Sequence, residues 1–149
     1  MRFMMIIKSD EQSETGAVPD QKIFEAMGKF NQDLIDSGAL LAAEGLGPSS
    51  KGAIVKFRGG KPTVTDGPFA EAKELIAGYW LIEAKSKQEA VEWAKRCFRT
   101  VEEIAGPALG GDQGEIEVRQ LFELDDFVQG EGVAKFRELD AQLAKAKAS

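Results

Sequence analysis

The chain has 149 residues, 43% of them hydrophobic and 30% charged, and its 19 Lys plus Arg against 25 Asp plus Glu leave a net charge of −6. One domain fits that length, and the acidic balance argues against binding nucleic acid or an anionic membrane surface, both of which call for basic patches. There is no histidine, which removes the usual base near neutral pH, the usual zinc ligand and every His-activated nucleophile, so no metal and no cofactor are expected.

The single cysteine, Cys97, excludes an intramolecular disulfide and fits a reducing compartment. The apolar run Phe3–Ile7 is too short for a signal segment, and no run approaches a membrane span. A cytoplasmic, membrane-free protein is expected.

Phe3 to Lys8 reads as a buried strand, followed by a polar loop through Glu14. Ile23, Met27, Phe30 and Leu34 then fall on one helical face, with Gly38 placed to end the helix. Its start is open: Pro19 suits a first helical position, but Val18 is a poor cap. Leu40 to Glu44 predicts a second strand, and residues 45–50 a loop. Ile54–Arg58, Gly59-Gly60 and Lys61–Thr65 predict a hairpin, with Pro62 keeping its return strand at an edge. Ile76 to Ala84 predicts a strong strand. Ser86 and Glu89 have capping-box spacing before a helix through Ala90, Ala94, Cys97 and Val101, ended by Gly106-Pro107. Residues 110–114 predict a turn and Glu115 to Glu123 a last strand. Residues 125–149 form a separate extension in which Phe136, Leu139 and Leu143 share a helical face.

The order is strand, helix, strand, hairpin, strand, helix, strand. It predicts an α+β fold with the split βαβ pattern of a ferredoxin-like sheet and an inserted hairpin. Alternation gives the sheet two stripes. One is apolar and suits the two helices: Phe3, Met5, Ile7, Trp80, Ile82, Ala84, Ile116, Val118 and Phe122. The other, with Met4, Ile6, Tyr79, Leu81 and Leu121 among charged residues, has no helix left to cover it except the terminal one. An exposed apolar patch of that kind predicts face-to-face pairing of two sheets in a homodimer, with a small-molecule space between them.

Asp66-Gly67-Pro68-Phe69-Ala70-Glu71-Ala72-Lys73-Glu74 is the most distinctive stretch. Pro68 suits the opening of a short helical turn, with Asp66 accepting backbone N–H groups there as a cap. Residues 66–74 match the DGPFAETKE signature except at Ala72, where Thr is usual. Further matches are Phe3–Ile7, Glu44-Gly45-Leu46, Gly78 to Glu83 and Glu117-Val118-Arg119. On these motifs the sequence resembles the YCII-related proteins of the DGPF type over roughly residues 1–124.

The resemblance implies a ferredoxin-like dimeric α/β barrel and no settled reaction. Catalysis by a His–Asp pair, suspected in related YCII-type proteins, does not transfer to a chain without histidine. The genes of DGPF-type proteins often neighbour those of alternative sigma factors, which implies a regulatory role accessory to transcription and a possible sigma-factor association, without DNA contact.

The candidate pocket residues are Glu44, Asp66, Phe69, Tyr79 and Arg119. Asp66 reads first as a cap and second as a ligand group, Tyr79 equally as pocket donor or interface residue. Glu44, Glu117 and Arg119 read first as partners across a dimer. Cys97 and both tryptophans read as core. The leading reading is a homodimer binding a small molecule or protein partner. The rival is a cofactor-free enzyme in which Asp66 or Glu44 exchanges protons and Arg119 or Tyr79 stabilises charge.

Overall fold

The computed structural model describes residues 1–69, 74–106 and 114–149. Its main sheet has four antiparallel strands in the order β2-β5-β1-β6: β1 (Arg2–Lys8), β2 (Leu40–Gly45), β5 (Ile76–Glu83) and β6 (Ile116–Gln120). A separate two-stranded sheet pairs β3 (Ala53–Arg58) with β4 (Lys61–Asp66). The sheets and helices make a mixed α+β fold, and no closed barrel forms among the described residues. The helices described are α1 (Glu11–Glu14), α2 (Gln21–Asp36), α3 (Lys87–Ala105) and α4 (Glu131–Ala148).

Local chemistry sets most boundaries. The start of α2 is settled by Asp20, whose carboxylate accepts from the Lys22 N–H at 2.8 Å. Beyond its end, Gly38 takes φ +76°, a conformation that costs glycine least. Ser86 caps α3 by accepting from the Glu89 N–H at 3.2 Å, while the Glu89 carboxylate reaches back to the Lys85 N–H instead of closing the box on Ser86. The polar stretch expected as loop contains α1, capped by Asp10. The hairpin forms about Gly59-Gly60 as expected, both at positive φ.

The core lies between one sheet face and the helices α2 and α3. Strand register aligns Ala43, Trp80, Met5 and Val118 in one row across the sheet. Trp80, Met5, Phe3 and Ile82 are buried against Phe30, Leu34, Ala90, Ala94 and Cys97. Phe30 meets the rings of Trp80 and Trp93 edge-on at 5.4 and 6.2 Å, and the Trp80 indole N–H donates to Asn31 at 2.8 Å. Between the helices, Asp33 accepts from Lys29 and Arg96, and the Arg96 guanidinium lies over the Trp93 ring.

One member of the expected helix-facing stripe is misplaced. Phe122 is 74% exposed, because β6 stops at Gln120 and not at Glu123. The physical reason is the partner strand: the Arg2 carbonyl of β1 accepts from the Leu121 N–H, and the next carbonyl, of Met1, accepts instead from Ala84 on the β5 side. The chain instead turns through residues 124–126, and Phe122 packs on Phe127 at 5.0 Å. The turn expected at 110–114 lies mostly outside the described residues. Helix α4 forms, but none of its residues is buried, and it rests on the turn before it through an Arg137–Asp125 pair at 2.6 Å.

Candidate functional site

Two places gather the residues singled out from the sequence. The first is the sheet face turned away from α2 and α3. Register aligns Glu44, Tyr79, Ile6 and Glu117 in one row and Ala42, Leu81, Met4 and Arg119 in the next. Met4, Ile6, Tyr79 and Leu81 are only partly buried. The face is thus apolar in the middle and charged at both edges. Glu44 sits directly opposite Tyr79 because β2 approaches β5 closely at Gly78, where an added Cβ would stand 2.7 Å from the Glu44 carbonyl oxygen. Arg119 reaches Glu117 at 3.5 Å, with most of its side chain in solvent. Glu44 and Arg119 belong to opposite edge strands, three strand spacings or about 14 Å apart. Within one protomer they flank the same face without meeting on one ligand atom.

The second place is the foot of the hairpin, where Asp66 and Phe69 lie. Asp66 ends β4 opposite Ala53 and is exposed. The Phe69 N–H, one of the donors that an Asp66 cap would take, donates to the Ser49 hydroxyl at 3.0 Å. The other N–H groups of that turn belong to residues 70–73, outside the described residues. Ser49 in turn donates its hydroxyl to the Glu14 carboxylate, which also accepts the Ser49 N–H at 3.1 Å. A hydrogen-bonded chain from Phe69 through Ser49 to Glu14 therefore ties the distinctive motif to the loop after β2 and to α1. Gly67 makes the closest approach: its N–H donates to Gly52 at 3.0 Å, and a Cβ there would lie 1.8 Å from the Ser49 carbonyl oxygen. Only glycine fits. An open cleft of about 400 Å³ lies at this foot, lined by Phe69, Leu46, Leu75, Ile76, Pro48 and Glu14 among others.

Glu14 and Ser49 were not singled out by sequence reasoning. They stand 35 residues apart, and no local spacing links a loop serine to a carboxylate in a polar run. Leu46 joins the two places: its N–H donates to Ala77 at 2.8 Å, so the chain passes from Glu44 on the sheet face into the cleft within two residues.

The Arg2 guanidinium donates to Glu123, holding that carboxyl below the usual carboxylate range. Burial pushes the Cys97 thiol up to about 12, so it stays a neutral packing group, as expected from its helix face. Among the described residues no group of three or more Asp, Glu and Cys is placed to hold a metal ion. Among them, too, no helix is long and apolar enough to cross a membrane.

The family model for the YCII-related domain matches residues 1–105, and the chain belongs to the YCII-related family. An uncharacterised protein of Rhizobium meliloti (strain 1021) is 28% identical over 97 residues, covering 64% of this chain and 78% of the relative.

Proposed function

We propose that this YCII-related chain is a homodimeric binding protein of the DGPF type, with residues 1–124 as the domain and 125–149 as an extension. Its two sheets pair through the face carrying Met4, Ile6, Tyr79 and Leu81 and hold a small molecule near Tyr79. The observation that carries this reading is that face itself, apolar at its centre and edged by Glu44, Glu117 and Arg119 in register. Pairing removes the apolar centre from water. The order β2-β5-β1-β6, with two helices on one side, supports a ferredoxin-like half of a dimeric α/β barrel. Pairing would also carry the Glu44 edge of one sheet toward the Arg119 edge of another, offering a ligand both charges.

A regulatory role in the cytoplasm, accessory to transcription and including sigma-factor association, rests on the DGPF-type signature at 66–74. Light scattering on the eluting protein tests the pairing: twice the chain mass is expected, and a monomer at micromolar concentration removes it. Thermal shift against a small-molecule library, repeated with Tyr79→Phe and Arg119→Met, tests the site. Hits must lose their shift in the variants. Turnover of any hit abolished by Glu44→Gln would favour the cofactor-free enzyme, a reading supported by Glu44 pairing in register with Tyr79.

A further inference from the structure

The foot of the hairpin arm brings charge and apolar surface together. The open cleft there is walled by Leu46, Pro48, Phe69, Leu75 and Ile76, with Glu14 and Lys51 also lining it. Leu46 and Ile76 are 47% and 39% exposed, so the wall presents apolar surface to whatever enters. A volume of about 400 Å³ lies in the range that holds a small molecule.

The Glu14 carboxylate is fixed before any ligand arrives. Glu14 ends α1, and two residues on, Gly16 at φ +74° brings the chain against the Pro48 ring, where an added Cβ would stand 3.5 Å away. The carboxylate accepts the N–H and the hydroxyl of Ser49, both neutral donors, so it is held in direction but keeps its charge. Lys51 follows in the same loop, its stem passing Gly47, where an added Cβ would stand 3.4 Å from it. Among the described residues neither Glu14 nor Lys51 forms an ion pair, with the other or with any third group. One cleft thus presents a fixed carboxylate, a separate ammonium group and an apolar wall.

We infer that this cleft binds a free α-amino acid with an apolar side chain. The ligand's ammonium group donates to Glu14, its carboxylate accepts from Lys51, and its side chain lies against Leu46, Phe69 and Ile76. A ligand with a single charge leaves the opposite protein charge uncompensated beside apolar walls, and a polar side chain loses water there without gaining partners. The Ser49 contacts order Glu14 in advance, which lowers the cost of binding. The site is independent of the homodimer reading, because one chain supplies every group in it.

Isothermal titration at neutral pH tests it. L-leucine, L-methionine and L-phenylalanine are titrated first, then the amide of the tightest, which lacks the carboxylate, and its deaminated acid, which lacks the ammonium group. The amino acid should bind about tenfold or more tightly than either analogue. Glu14→Gln keeps an oxygen for Ser49 without the charge, and should abolish the preference over the deaminated acid. Lys51→Met keeps the stem, and should abolish the preference over the amide. Methyl resonances of Leu46 and Ile76 should shift on titration. No binding of any of the three amino acids at millimolar concentration overturns the proposal, as do equal affinities for the analogues or preferences that survive both substitutions. Shifts confined to Met4, Ile6 and Leu81 would put the ligand on the sheet face, which overturns the cleft and leaves the homodimer reading standing.

Discussion

The four-stranded sheet and the hairpin obey the same alternation rule and reach opposite ends. In the sheet, the stripe of Phe3, Met5, Trp80 and Ile82 disappears beneath α2 and α3. In the hairpin, an equally regular stripe of Val55, Phe57 and Val64 meets solvent. Both stripes are legible from period-two patterning. What differs is connectivity: each outer strand of the sheet unit is joined to a helix long enough to lie back across it, whereas the segments that join the hairpin to the sheet, 46–52 and 67–75, are both under ten residues long. Patterning says which side wants cover, and only the neighbouring elements say whether cover arrives from the same chain.

The sharpest contrast lies between two phenylalanines. Phe30 is fully buried between two tryptophans, so Phe30→Ala should cost about 3–5 kcal/mol in urea denaturation. A loss under about 1 kcal/mol would mean that the helix-covered side is as loosely held as the arm.

The joint between the two regions comes next. Gly67→Ala places a Cβ against the Ser49 carbonyl and should cost about 1–3 kcal/mol by overpacking. Ser49→Ala, which breaks the hydrogen-bonded chain from Phe69 to Glu14, should cost about 1 kcal/mol. Neutral outcomes for both would detach the arm energetically from the body.

Cys97 tests the body through pH. Its folded thiol is pushed up to about 12 by burial, above the ordinary value of about 8.5. The unfolded chain therefore loses its proton first. The contribution is intact below about pH 8.5 and declines as pH rises toward the folded value, by about 1 kcal/mol near pH 9 and roughly 1.4 kcal/mol per further unit. Cys97→Ala should flatten that alkaline slope, measured by denaturation at a series of pH values. An unchanged slope would show the thiol to be hydrated.

The smallest effect belongs to the arm. At dilutions that keep the chain monomeric, Phe57→Ser should change stability by no more than about 0.5 kcal/mol, because the ring has little burial to lose. A larger loss would place the ring against the body and erase the contrast with Phe30.

Much of the candidate site was legible in the sequence, but not its arrangement. Tyr79 could be assigned to the outer stripe of its strand, since alternation about Trp80 decides that locally, whereas Glu44 was singled out without a face. That they stand opposite each other is a matter of register between strands more than thirty residues apart. Asp66 drew attention as a cap from its place before Gly67-Pro68. The Phe69 N–H nevertheless goes to Ser49, because a loop 20 residues upstream folds against it. Phe122 shows the same limit: its alternation continues a strand whose partner turns its next carbonyl to Ala84 instead.

By itself the sequence determined the order of the elements apart from α1, the α+β class, the helix-facing stripe apart from Phe122, the Ser86 cap, the glycine turn of the hairpin and the burial of Cys97. Each follows from residues within a few positions of one another, where period, capping and turn chemistry act directly. The tertiary structure alone decided the strand order β2-β5-β1-β6, the end of β6, the tie from Glu14 through Ser49 to Phe69 and the exposure of the hairpin's apolar side. These depend on which distant segment occupies the space beside a residue. A strand stops where its partner's next groups pair on the other side, and a stripe stays wet where no helix is tethered closely enough to reach it.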